Sequence, residues 1–233
     1  MTGRMIEFDA GGSTTPGYLA EPAGAAGPGV IVLHAWWGLT EPFRQACDRL
    51  AEAGFVALAP DLYRGKTTAS IEEAETLSSE LFKESARAEK DVQAAARFLR
   101  ERGASNAPDG HGKLALIGFS LGGAYALDAS VTLPDEVAAV VIFYATYTGP
   151  DYSRARAAYL GHFAEHDPYE PAEGVAELEQ ALRDAGKSVT FYTYPGTTHW
   201  FFEANRPDAF NAEAAAQAWD RTIAFLDAQL RQS

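Results

Sequence analysis

The stretch with the most chemistry in it is Gly118-Phe-Ser-Leu-Gly-Gly123. A G-x-S-x-G pattern between an apolar strand and a helix is that of a nucleophile elbow, a sharp turn that lifts a serine hydroxyl clear of a sheet. Glycines on either side let strand and helix backbones pass close to the turn. Ser120 would stand at a helix N-terminus, where free N–H groups and the dipole favour developing negative charge. The plain structural alternative is a helix-capping serine after a glycine-rich turn. A serine hydroxyl needs a base. Of the histidines, His199 in Gly196-Thr-Thr-His-Trp-Phe201 falls between the last strand and the last helix, which is the place of the base when the chain order is serine, acid, histidine. His34 ends an apolar strand, His111 sits in a polar Asp109-Gly-His-Gly turn, and His162 lies in an apolar strand and reads as a hydrogen-bonded core residue. Asp167 is the candidate third member, orienting His199 and stabilising its imidazolium. It could instead initiate an Asp-Pro turn or pair with His166 at the surface. Two N–H donors would complete an oxyanion hole: Leu121, after the serine, and Trp36, in the loop His34-Ala-Trp-Trp-Gly-Leu39. Trp37, Trp200 and Phe201 are candidates for the substrate pocket, with core or lid packing as the alternative.

These residues need a scaffold that presents strand ends. Short extended runs at Met5 to Asp9 and Gly17 to Glu21 flank Gly11-Gly12 and suggest a hairpin. The continuous apolar run Gly29–His34 reads as a strand buried on both faces, and Phe55–Ala59, Lys113–Phe119 and Val137–Tyr144 read as further strands. Further strands are expected over 157–163 and 188–194. Helices are expected over 42–53, 121–129, about 171–185 and 211–231, and the long polar stretch 70–102 reads as two helices or one broken helix. Alternation of this kind implies a parallel sheet covered by helices on both faces, with working residues at the C-terminal ends of strands.

Composition narrows the function classes. The 233 residues suit one domain. Lys+Arg 19 against Asp+Glu 32 gives −13, which opposes a nucleic-acid partner and an anionic membrane surface. Cys47 is the only cysteine, so neither an intrachain disulfide nor a C-x-x-C metal or redox motif can form. The N-terminus lacks the apolar run of a signal peptide, and the longest apolar stretch, Val137 to Ala145, is about half of the ~20 residues that cross a bilayer. A soluble, cytoplasmic protein is therefore expected. There is no G-x-x-x-x-G-K phosphate loop, no G-x-G-x-x-G after the first parallel strand and no helical histidine pair for zinc, so neither cofactor nor metal is expected.

Taken together, Val32-Leu-His-Ala-Trp-Trp-Gly-Leu39, Ala59-Pro-Asp-Leu-Tyr63, the elbow, Leu160-Gly-His-Phe-Ala-Glu-His-Asp-Pro168 and Tyr194-Pro-Gly-Thr-Thr-His-Trp-Phe201 resemble the dienelactone hydrolase family of α/β-hydrolases over nearly the whole chain. The resemblance implies one α/β-hydrolase domain over 1–233, cofactor-independent ester or lactone hydrolysis, and Ser120, Asp167 and His199 as nucleophile, acid and base. The chain departs from the family pattern at three points. Ser120 stands where well-known members carry cysteine. Ala35 stands where they carry a glutamate poised against it. Of the two arginines that hold their substrate's carboxylate, one position is Glu203 here, and the stretch between Lys66 and Lys83, which would supply the other, contains none. The expected substrate is a neutral or apolar ester or lactone, a small molecule, with Glu203 expected to bring negative charge near the pocket. The alternatives are a small carboxylesterase or peptidase with an oligopeptidase-like core and a non-catalytic ligand receptor. A flavodoxin-like nucleotide binder would need a phosphate-holding loop where the chain has bulky indoles.

Overall fold

The computed structural model describes residues 3–104 and 113–231. The expected Asp109-Gly-His-Gly turn, with His111, lies outside the described residues. Eight strands form one sheet in the order β1-β2-β4-β3-β5-β6-β7-β8. The strands are β1 (Arg4–Asp9), β2 (Thr14–Ala20), β3 (Gly29–Leu33), β4 (Val56–Pro60), β5 (Leu114–Phe119), β6 (Val137–Phe143), β7 (Ala158–His166) and β8 (Val189–Thr198). β1 and β2 form the antiparallel hairpin, and β2 pairs antiparallel with β4. The remaining pairs are parallel. Gly11 and Gly12 make the hairpin turn at φ 77° and 104°, a region open to glycine at no steric cost. The Asp9 carboxylate accepts the Gly11 N–H at 2.9 Å, which fixes that turn.

The central strands are apolar throughout because both faces are covered. In β5, Leu114 and Leu116 join one core while Ala115, Ile117 and Phe119 join the other. β6 divides in the same way, with Val140 and Ile142 opposite Ala139, Val141 and Phe143. The period of two thus survives inside a continuous apolar run. Two helices close one face, α1 (Glu41–Glu52) through Phe43, Cys47 and Leu50, and α6 (Ala212–Leu230) through Ala218, Trp219 and Leu226. The other face is covered by α2 (Ile71–Lys83), α3 (Ser85–Glu101), α4 (Leu121–Thr132) and α5 (Ala172–Asp184). The long polar stretch is therefore two helices, broken at Glu84, with the Ser70 hydroxyl capping the first. No helix among the described residues is long and apolar enough to cross a membrane.

Two strands run past their expected ends, and this matters for the site. β7 continues to His166 and β8 to Thr198, with a register shift between Ala164 and His166. The extension carries the chain from Tyr194 to the threshold of His199.

His162, in β7, is fully buried between β8 and α6. One ring nitrogen meets the Tyr194 hydroxyl at 2.8 Å and the other the Thr222 hydroxyl at 3.0 Å. Burial, aided by the Arg221 charge, lowers its pKa from 6.5 to about 3. The folded state thus resists a proton that the unfolded chain accepts. The stability this gives is full above about pH 6.5 and is lost as pH falls toward 3. His162→Asn should be destabilised by about 1–3 kcal/mol at neutral pH through lost hydrogen bonds. Its deficit should shrink in acid, where only the wild type still pays the protonation penalty. Denaturant unfolding of both proteins across that range checks this, and a pH-independent deficit would refute it.

Candidate active site

Ser120 joins β5 to α4 in a strained turn, at φ 48° and ψ −116°. Two hydrogen bonds hold it there: its N–H donates to Phe143 O at 3.0 Å and its carbonyl accepts the Gly123 N–H at 2.7 Å. The flanking glycines are required by contact. A Cβ at Gly118 would lie 2.4 Å from Gly122 O, one at Gly122 2.3 Å from Leu33 O, and one at Gly123 2.3 Å from the Ala145 Cβ. The N-terminus of α4 is thereby pressed against the ends of β3, β5 and β6. Leu121, the first residue of α4, has an N–H that the helix cannot use. The same close approach brings in the loop that carries Trp36, since the Gly122 Cβ position is also 2.7 Å from His34 O.

The three residues singled out for nucleophilic chemistry come together. The Ser120 Oγ lies 3.0 Å from His199 Nε2, and His199 Nδ1 lies 2.7 Å from Asp167 Oδ2. The other Asp167 oxygen accepts the N–H groups of Tyr169 at 2.9 Å and Glu170 at 3.0 Å. Asp167 therefore forms a turn and orients His199 at once, and the two readings of its Asp-Pro sequence coincide. The side chains of Asp167 and His199 are 2% and 3% exposed, so water competes little for this pair. With Nδ1–H donating to the carboxylate, Nε2 is left to accept the serine proton. His166 points away, 74% exposed beside Glu165. His34 is buried, with Nδ1 donating to Ala35 O at 2.7 Å and Nε2 accepting the Leu62 N–H at 3.2 Å.

A cleft of about 530 Å³ opens onto Ser120 and Leu121. Its walls come from α2, α3, α4 and the segments after β6 and β7, and include Phe82, Glu89, Tyr125, Asp128, Tyr147 and Glu170. Trp37, Trp200 and Phe201, the sequence candidates for the pocket, are not in this lining. Trp200 lies edge-on to the His199 ring at 5.0 Å and stacks on Trp36 at 5.9 Å; Trp37 meets both indoles, and Phe201 packs on Tyr144. They form an aromatic wall around His199. The cleft residues carry a signal that sequence reasoning missed: Leu121, Ala124, Tyr125 and Asp128 share one helical face leading away from Ser120. Among the described residues, no group of three or more His, Cys, Asp or Glu side chains is placed to hold a metal ion.

Glu203 departs from its expected position. It is fully buried outside the cleft lining, because the turn from Trp200 O to Glu203 N (2.9 Å) folds it inward. One oxygen accepts the Tyr144 hydroxyl at 2.9 Å and the other has no partner. Tyr144 lies against the His199 ring at 4.8 Å, so Glu203 backs the site from beneath. Burial raises the Glu203 pKa from 4.5 to about 8, against the pull of Tyr144 and Arg206. The folded state then holds a proton that the unfolded carboxyl releases. The stability from this group is full below about pH 4.5 and is lost as pH rises through 8. Glu203→Gln cannot ionise and keeps an oxygen for Tyr144. Its stability relative to the wild type should climb between those two pH values and level off above them, as read by thermal melting. A flat difference would show that Glu203 is ionised in the folded protein.

The chain is similar to known proteins over nearly its whole length. The family model of the dienelactone hydrolase family matches residues 15–230. Protein usf of Aquifex pyrophilus is 32% identical over 230 residues, covering 96% of this chain and 97% of that protein. A protein of Aquifex aeolicus named "Putative carboxymethylenebutenolidase" is 30% identical over 235 residues, covering 98% of this chain and all of its own. Among solved structures, a dienelactone hydrolase-like promiscuous phosphotriesterase from metagenomic libraries superposes with a TM-score of 0.85 at 22% identity, covering 98% of both chains, and shares the fold. With an eight-stranded, mostly parallel sheet between helical layers and a family match over nearly its whole length, the chain belongs to the dienelactone hydrolase family of α/β-hydrolases.

Proposed function

We propose that this protein hydrolyses a carboxylic ester or lactone through an acyl-enzyme on Ser120. The observation that carries the reading is the Ser120–His199–Asp167 chain of hydrogen bonds at 3.0 and 2.7 Å, set at the mouth of a cleft. His199 Nε2 takes the Ser120 proton as Oγ attacks the carbonyl carbon. The carbonyl oxygen gains the charge and is stabilised by the N–H groups of Leu121 and Trp36. Collapse of this intermediate breaks the bond to the leaving oxygen, which receives the proton from His199. Water then gives a proton to His199, attacks the acyl carbon and releases the acid, and the proton returns to Ser120. Asp167 holds the tautomer that makes these transfers possible. The name carried by the Aquifex aeolicus relative supports a lactone or ester substrate.

Ala35 and Ser120 fit each other. A serine activated by His199 needs no carboxylate at position 35, and Ala35 is fully buried. Among the described residues no cation lines the cleft, while Glu89, Asp128 and Glu170 do. A buried substrate carboxylate would lack a partner there and would cost several kcal/mol to desolvate.

Ser120→Ala should lower kcat by roughly 10³-fold or more while leaving the fold intact, and a fluorophosphonate should label the wild type at Ser120. Asp167→Asn should fold and lose activity by several orders of magnitude through the wrong tautomer. Retained turnover of p-nitrophenyl acetate in Ser120→Ala would remove this serine from the mechanism. Among substrates, a neutral ester should be turned over faster than its matched carboxylate, with the gap narrowing as salt is added. A higher kcat/KM for the carboxylate would show that a cation reaches the cleft.

A further inference from the structure

The cleft continues beyond Ser120 along α4, and its far end is built unlike the rest. Asp128 lies two helical turns from Leu121, about 10 Å along the axis. Glu89 approaches it from α3, and both line the cleft. Neither carboxylate has an ion pair or hydrogen-bond donor among the described residues. The two like charges act on each other: burial, and then Glu89, hold the Asp128 carboxyl above its usual range. Between them stands Tyr125, 8% exposed, whose hydroxyl is buried in the cleft wall without a hydrogen-bond partner. Burial and then Glu89 push that phenol up to about 12, against a pull from Arg87, with Asp128 adding a smaller push. Arg87 does not neutralise the pair, because its guanidinium donates to Glu84 at 2.8 Å, Leu62 O at 3.3 Å and Asp91 at 3.4 Å and lines the neighbouring groove instead. Phe82, 56% exposed, stacks on Tyr125 at 6.4 Å and 16°, and Tyr147, 43% exposed, lines the same cleft. Carboxylates without counter-charge, a phenol oxygen free to accept, and open aromatic faces are the three features that attract an organic cation. The aromatic faces alone would also accept an alkyl chain; the carboxylates and the phenol oxygen would not.

We infer that the end of the cleft formed by Glu89, Asp128, Tyr125, Phe82 and Tyr147 binds an ammonium group, so that the ester or lactone opened at Ser120 is one carrying a cationic arm. This rests on the hydrolase reading above and specifies its substrate class. The ammonium sits between the two carboxylates, against the phenol oxygen and ring of Tyr125. The scissile carbonyl lies at Ser120, roughly the 10 Å of α4 away.

The test is a matched series of p-nitrophenyl esters ending in a trimethylammonio group, its uncharged tert-butyl isostere or a carboxylate, over a range of spacers. A parallel series carries the same groups on the alcohol side. In the wild type, kcat/KM for the cation should exceed that for the isostere by about tenfold or more in one of the two series. In Glu89→Gln/Asp128→Asn the cation-to-isostere ratio should fall to near one, with circular dichroism and Tm establishing that the variant is folded. Turnover of the isostere at least as fast as the cation in both series overturns this inference and leaves the hydrolase reading standing. No turnover of any ester, with no fluorophosphonate label on Ser120, overturns the hydrolase reading. Calorimetry with tetraethylammonium then judges the cation site alone: binding lost in the double variant supports it, and no binding to the wild type removes it.

Discussion

At the elbow, three strand ends and one helix start occupy a space that a single added methyl group would fill. A side chain on Gly118, Gly122 or Gly123 would fall within 2.5 Å of a neighbouring atom, in two of the three cases a backbone carbonyl oxygen that cannot step aside. Because α4 starts there and nowhere else, Ser120 must take the tight conformation that turns a strand into a helix. Conformations of this kind cost about 1–3 kcal/mol and persist only when the surroundings over-determine them. Here the hydrogen bond to Phe143 and the bond from Gly123 do so. The rest of the sheet order then follows as a delivery problem: β3 brings the loop with Trp36, β7 ends just before Asp167, and β8 ends just before His199, all on the C-terminal edge beside the elbow.

The strain is not confined to the serine. Of the five non-glycine residues at positive φ among those described, Ser120, Tyr144 and Trp200 directly follow β5, directly follow β6 and directly follow His199. Tyr144 at φ 41° turns its ring onto His199 and its hydroxyl onto Glu203, and Trp200 at φ 68° turns its indole against the imidazole's edge. His199 is thus clamped on several sides by groups that cannot take its proton easily. The carboxyl groups around it differ in how many donors they receive. Asp167 accepts two backbone N–H groups and the imidazole. Glu203 accepts one phenol, and Glu170, pushed up to about 7 mainly by burial, accepts the Thr146 hydroxyl. Hydrogen-bond supply, rather than distance from water alone, is what suits Asp167 to face an imidazolium.

The meeting of Ser120, His199 and Asp167 was legible in the sequence because each sits in a local pattern whose meaning comes from its neighbours. Ser120 has strand, glycines and helix around it. His199 and Asp167 each follow a strand in the right order. The alternating elements were legible for the same reason, since apolar runs and helix caps are local. What local patterns do not carry is contact between distant elements. Glu203 was expected to face the pocket from its place a few residues after His199. It turns inward because Trp200 begins a tight turn, and only the packing of Tyr144 from β6 shows where it ends. The tryptophans were expected to line the pocket, and nothing in their order distinguishes a wall behind the base from the lining of the cleft. Glu89 and Asp128 carry no motif at all. Helical spacing gives the face each occupies, and the α3–α4 packing that brings those faces together is a property of the fold.

This separation has a physical consequence for how such a site can change. The residues proposed to carry the reaction lie in strand-end turns where glycine contacts and backbone strain leave little room, and Ala35 is wholly buried in one of them. Two of the three acids that line the cleft, Glu89 and Asp128, lie on the faces of α3 and α4, partly buried and without ladder or elbow contacts to protect. A substitution at Glu89 or Asp128 alters the field over the substrate arm without moving the backbone that holds Ser120. A substitution at Gly122 would move that backbone against Leu33. Chains that share every motif at the strand ends can therefore differ in the charge of the substrate they accept, and the two arginines absent from this chain need not be replaced at their own positions for the cleft to acquire a new preference. Here the preference is written on a helix surface two turns away from the serine, where the same sheet geometry that fixes the reaction leaves the side chains free to vary.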